Sequence, residues 1–219
     1  MDFQFEEGQA PLQLDEVGPY VAGLCTVLIP CDKGSEAYRL ICKDFAEGFG
    51  TTCGFLPHFL LWAAGCRSKN LVSRSEKQDG LSYAIGKNLT RIFNGGFSPF
   101  RHFKPGTIPE TGDIVYVSNG TPKTEHVFVF RGVEEEGGTT YWTSWDGGQE
   151  NNSFRVRKRK LLGKMLDGRQ VIGWLPLRAL TYTAAPKIVV HTLPAEELQT
   201  LSDQHFAQAG SGYEDETPA

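Results

Sequence analysis

The sequence predicts an α+β domain, with helices first and an antiparallel sheet second. Two observations carry this. Between Gly34 and Gly65 apolar residues recur at helical spacing, and from Thr111 onward the period drops to two. A run of helices followed by a run of strands is the pattern of an α+β fold.

Residues 1–20 hold no sustained period and read as an N-terminal arm. Over Gly34–Phe49, Ala37, Leu40, Ile41, Phe45 and Ala46 fall on one face, with Ser35 as cap and Gly48 as stop. The turn Gly48-Phe49-Gly50-Thr51-Thr52-Cys53 then leads into Gly54–Gly65, which is apolar on nearly every side and so predicts a buried helix. Thr51 or Thr52 would cap it, and Pro57 is tolerated in the first turn, whose amides lack acceptors. Cys53 thus falls at a helix N-terminus. A weak helix over Gly80–Ile92 and an aromatic loop over Phe97–Phe103 follow.

Strands are expected at Asp113–Val117, His126–Phe130, Thr139–Trp145, Phe154–Lys160 and Val171–Leu175. The second is apolar on both faces and so central. The fourth carries Arg155, Arg157, Lys158, Arg159 and Lys160, and reads as an exposed edge guarded by charge. A short helix at Ala195–Leu201 and a frayed acidic end close the chain. The organisation is an arm (1–20), a catalytic-type domain (21–182) and a C-terminal extension (183–219).

Composition excludes several function classes. The 219 residues include 22 Lys+Arg and 26 Asp+Glu, a formal net charge of −4, which speaks against general nucleic-acid binding. No apolar run approaches the roughly 20 residues a membrane span needs, and the acidic start does not resemble an export signal, so a protein cytoplasmic as made is expected, with release by lysis or a dedicated secretion system as the route outward. Cysteines 25, 31, 42, 53 and 66 contain no CxxC pair and match no familiar zinc spacing, so neither a metal nor another cofactor is expected. Gly80–Asn88 lacks the spacing of a phosphate loop, and no G-x-S-x-G is present.

The chemistry-bearing candidates are a thiol, an imidazole and a carboxylate. A helix N-terminus favours a thiolate at Cys53, and the Cys53 amide could face an oxyanion. His126, opening a central strand, is the base, and His102 in the aromatic loop is its rival. With residues 134–138 as a hairpin turn, Val133 pairs with Thr139 and His126 lies directly across from Asp146 on the same face. Asp146 would then orient the imidazole. A slip of two would put Ser144 in that place, and Gln149 is a further candidate orienter or oxyanion donor. Asp146-Gly147 is also the commonest turn dipeptide.

Thr52-Cys53-Gly54 at a helix start, Gly112-Asp113-x-Val115 and Glu125-His126-Val127, in that order, resemble the papain-like NlpC/CHAP superfamily of cysteine peptidases and amidases over about residues 34–180. The resemblance implies a papain-like fold with the nucleophile helix packed on the sheet, attack by Cys53 on an amide, and proton transfer by His126. It also implies a third polar residue, here Asp146, and a peptide or peptidoglycan substrate. An inhibitor or immunity protein is the partner such an enzyme would have. A protein-directed protease or deamidase, and a non-catalytic binding module, are the alternative readings.

Overall fold

Strand-forming sequence between Arg101 and Leu175 builds one sheet in the computed structural model of the chain, which describes residues 2–6, 10–44, 52–68, 71, 99–121, 125–149, 153–184 and 187–191. The strands are β2 (Arg101–His102), β3 (Ile114–Ser118), β4 (His126–Glu136), β5 (Thr139–Gln149), β6 (Ser153–Leu162), β7 (Met165–Leu166) and β8 (Arg169–Leu175). Their order is β2-β8-β3-β4-β5-β6-β7, every neighbour is antiparallel, and β7 also pairs with β8. That last pairing closes six strands, β3 to β8, into a barrel.

Closure overturns the expected open sheet covered by helices, and with it the papain-like assignment. Among the described residues the helical part is α1 (Leu14–Leu28), α2 (Glu36–Arg39) running into a π turn (Leu40–Asp44), α3 (Thr52–Ala63) and a short 3-10 turn (Leu177–Ala179). The five expected strands are all present. The element that changes the fold is β7, two residues between the Gly163-Lys164 and Asp167-Gly168 turns, too short to carry a periodic signal. With β5 on one side and β7 on the other, β6 is no exposed edge.

Alternation sorts the barrel strands into two faces. Val115, Val117, Phe128, Phe130, Trp142, Leu166, Val171 and Trp174 form one buried cluster. The opposite face of β4 and β5 receives α3, which packs on both strands and buries Phe55, Leu56, Phe59, Leu60 and Leu61. α1 starts inside the expected arm: a capping box between Gln13 and Glu16 begins it at Leu14, and Val17, Val21, Leu24 and Leu28 are buried. Ser35 caps α2 as expected, accepting from the Tyr38 amide at 3.2 Å.

Gly112-Asp113 ties this frame together. Both Asp113 carboxylate oxygens accept backbone amides, Oδ1 from Leu177 at 3.0 Å and Oδ2 from Glu110 at 2.9 Å. Burial pushes the Asp113 carboxyl up to about 6, even though these amide bonds and Arg101 favour its anion.

In a separate unit, β1 (Asp2–Glu6) pairs with β9 (Lys187–His191) as a two-stranded sheet. The helices expected at Gly80–Ile92 and Ala195–Leu201, the Gly48–Thr51 turn and the first two residues of the aromatic loop, Phe97 and Ser98, lie outside the described residues; within the rest of that expected loop, Arg101–His102 form strand β2 instead.

Candidate active site

The β4–β5 hairpin turns at Gly137-Gly138, whose φ values of 56° and 74° suit the two-residue turn that only glycine-like residues adopt easily. Glu136 therefore pairs with Thr139, and Gly132 with Thr143. Extended unbroken, this register would put His126 and Asp146 on opposite faces of the sheet. A bulge between Phe130 and Gly132 shifts it by one, so that Phe130 faces Ser144 and Val129 faces Trp145. Carried onward, Asp146 lies across from Phe128 and diagonal to His126, on one shared face. The direct pairing expected from the sequence is thus replaced by a diagonal one, which the bulge creates.

His126 Nε2 meets Asp146 Oδ1 at 2.5 Å. Asp146 is wholly buried, and a residue that the sequence reading placed on an exposed, charge-guarded edge satisfies it: Arg159 of β6 donates from Nη2 to Oδ1 at 2.7 Å and from Nη1 to Oδ2 at 2.8 Å. Ser144 donates to Asp146 Oδ2 and accepts from Arg159 Nη1, both at 2.5 Å, so it braces the carboxylate and does not replace it. The Arg159 guanidinium lies over the Phe128 ring, 4.9 Å from its centre. Arg159 was hidden within a basic run. Its one sequence signal is that it shares a strand face with Leu161 of the core fringe.

Cys53 lies in the first turn of α3 and is partly exposed. Cys25, Cys31, Cys42 and Cys66 are buried, and all five are free thiols. Burial pushes the Cys31 thiol up to about 11 and that of Cys42 to about 12, and raises Cys25 and Cys66 as well. The Cys53 thiol hydrogen-bonds to the His126 imidazole. With Nε2 occupied by Asp146, Nδ1 is the ring nitrogen left for the sulfur. Burial disfavours the imidazolium, but the bonds to Asp146 and Cys53 and their charges outweigh it, pushing His126 up to about 9. Asp146 moves the other way. Desolvation favours its neutral form, yet the Arg159 charge and His126 hold the carboxyl far below its usual range.

Two glycines bring helix and strand together. A Cβ on Gly147 would stand 2.1 Å from the Thr52 carbonyl oxygen and 2.7 Å from the Phe154 ring, so only glycine fits beneath the start of α3. Thr52 thus serves here through its backbone contact. Gly148, at φ 78°, lies against the start of α3; a Cβ there would lie 3.6 Å from the Cys53 nitrogen. Gln149 ends β5 opposite Ser153. The rival base, His102, is exposed on β2, paired with Gly173 of β8.

A pocket of about 310 Å³ opens beside His126 at the mouth of the barrel. Every strand of the ring contributes to it: Val117 of β3, His126 of β4, Gly148 of β5, Arg157 and Arg159 of β6, Leu166 of β7 and Arg169 of β8. Asp167 completes the wall. Among the described residues no group of three or more His, Cys, Asp or Glu side chains is placed to hold a metal ion, and no helix is long and apolar enough to cross a membrane.

No protein-family model, curated protein or solved structure matches this chain.

Proposed function

We propose that the chain is a cysteine amidohydrolase acting on a peptide-type amide through an acyl-enzyme, with Cys53 as nucleophile, His126 as proton carrier and Asp146 as orienter. One observation carries this reading. The partly exposed thiol, at a helix start, bonds an imidazole whose far nitrogen is 2.5 Å from a wholly buried carboxylate. A packing cysteine has no need of that relay, and the other four cysteines lack it.

The chemistry follows from the geometry. An imidazolium next to Cys53 and the positive end of the α3 dipole both favour the thiolate. The thiolate sulfur attacks the amide carbonyl carbon, and the electron pair of the C=O bond moves to oxygen. On this reading the Cys53 amide, at the start of α3, donates to that oxyanion. As the C–N bond breaks, imidazolium Nδ1 gives its proton to the departing amine, leaving a thioester. A water then attacks the thioester carbon, losing a proton to the neutral imidazole; the C–S bond breaks and the acid leaves. Asp146 stays ionised throughout, held by Arg159, and keeps Nε2 protonated.

The peptide amides of peptidoglycan are the substrate this reading puts first, with protein amides as the alternative. Digestion of purified peptidoglycan and of unfolded protein by wild type and Cys53→Ala, with fragments read by mass, tests it. Wild type is expected to release new amino and carboxyl ends, and the variant to lose at least about 10³-fold in rate. Equal cleavage by both proteins, or failure of iodoacetamide to label Cys53 faster than the other four thiols, would overturn it.

A further inference from the structure

Arg159 is fully engaged by Asp146 and Ser144, but the other two guanidinium groups of the barrel mouth are not matched in this way. Among the described residues neither Arg157 nor Arg169 has a hydrogen bond or ion pair at its guanidinium. The acidic side chain in the wall, Asp167, is turned to local use: its Oδ1 accepts the Lys160 amide at 3.0 Å. Two planar forks of donors therefore face a small polar pocket that also exposes His126.

We propose that this mouth is a carboxylate-binding subsite, in which Arg157 and Arg169 hold a carboxylate of the substrate beside the amide that Cys53 attacks. The proposal rests on the hydrolase reading and adds its selectivity. Charge limits the ligand to a monoanion. Arg157 and Arg169 against Asp167 leave one positive charge, while His126, Cys53, Asp146 and Arg159 balance among themselves as imidazolium, thiolate, carboxylate and guanidinium. A phosphate dianion would exceed that balance and meet Asp167. The volume, about 310 Å³, suits one amino-acid-sized group. The carboxylate is either an Asp or Glu side chain or a free chain terminus, and both present the same group to the forks.

Alkylation of the full chain by iodoacetate and iodoacetamide tests this without knowledge of the substrate. The two probes carry the same leaving group and differ in bearing a carboxylate or a neutral amide. At low ionic strength the iodoacetate-to-iodoacetamide rate ratio at Cys53 is expected to exceed that of free cysteine by about tenfold or more, and to fall toward it in about 1 M salt. In Arg157→Gln/Arg169→Gln, checked for folding by circular dichroism, most of that excess should disappear. The source of the carboxylate is read by protection of Cys53 from iodoacetamide at about 10 mM competitor. N-acetylglutamic acid α-amide carries the side-chain carboxylate, its isomer N-acetylglutamine the terminal one, and the stronger protector identifies the source. An excess that survives in the double variant belongs to the His126 imidazolium and overturns the subsite. A wild-type ratio like that of free cysteine, or no protection by either isomer, also overturns it while leaving the nucleophile standing. A Cys53 inert to both reagents sinks the hydrolase reading and the subsite together.

Discussion

Asp146 is an anion removed from water, and it is sustained by the two-pronged Arg159 fork and the His126 imidazole. Removing one partner of a buried charge pair leaves the other uncompensated, so Arg159→Met should destabilise the protein by about 3–5 kcal/mol in urea unfolding. Arg159→Lys keeps the charge but offers no fork, so it should recover only part of that loss. Both variants should slow iodoacetamide labelling of Cys53, because a neutralised or displaced Asp146 no longer supports the imidazolium. Of this site the thiol and the imidazole were legible locally, from a glycine-flanked helix start and the head of an apolar strand. Arg159 was not. Its neighbours Lys158 and Lys160 are exposed, and which member of a basic strand turns inward depends on a barrel interior that sequence alone did not reveal.

At the scale of elements, the site depends on a backbone approach between α3 and β5. Gly147→Ala places a methyl group 2.1 Å from the Thr52 carbonyl oxygen, a contact that backbone atoms must move to relieve. The expected cost is about 1–3 kcal/mol, with the start of α3 pushed away from His126. Slower labelling of Cys53, read together with the unfolding midpoint, checks it; unchanged labelling would mean the approach has no part in setting the thiol. The sequence argument brought His126 and Asp146 together, and the structure places them in contact, but through a different hairpin. It assumed a five-residue turn, whereas Gly137-Gly138 form a tighter one and the bulge near Arg131 restores the shared face. Periodicity reports which residues alternate; it cannot locate a single inserted residue.

The whole molecule carries a charge pattern with a definite pH signature. His126, with its folded pKa raised to about 9, adds stability that is fully present below its unfolded value and is lost as pH rises through 9. Asp113, raised to about 6, likewise favours folding while protonated, and that contribution goes as pH climbs through 6. Asp146, lowered, works in reverse: its contribution is present above the ordinary carboxylate value and is lost on acidification. Stability should therefore be greatest near about pH 4, close to the unfolded carboxylate value, and decline toward pH 10, as urea midpoints across that range will show. A midpoint that rises steadily from pH 5 to 10 would contradict the His126 and Asp113 assignments. Fold class was the least legible level. Five strands and α3 can be read from their periods, but whether a sheet stays open or closes was decided by the two residues of β7.

That closing strand has a further consequence. Arg169 is both the residue that pairs with Leu166 across the seam and a wall of the barrel mouth, and Asp167 is the turn between them. Cys53, His126 and Asp146 lie on elements that the seam does not join. On the proposed hydrolase and subsite readings, a proteolytic nick at Asp167-Gly168 would separate discrimination from reactivity, yielding a cut molecule with its thiol still primed and its choice of substrate relaxed.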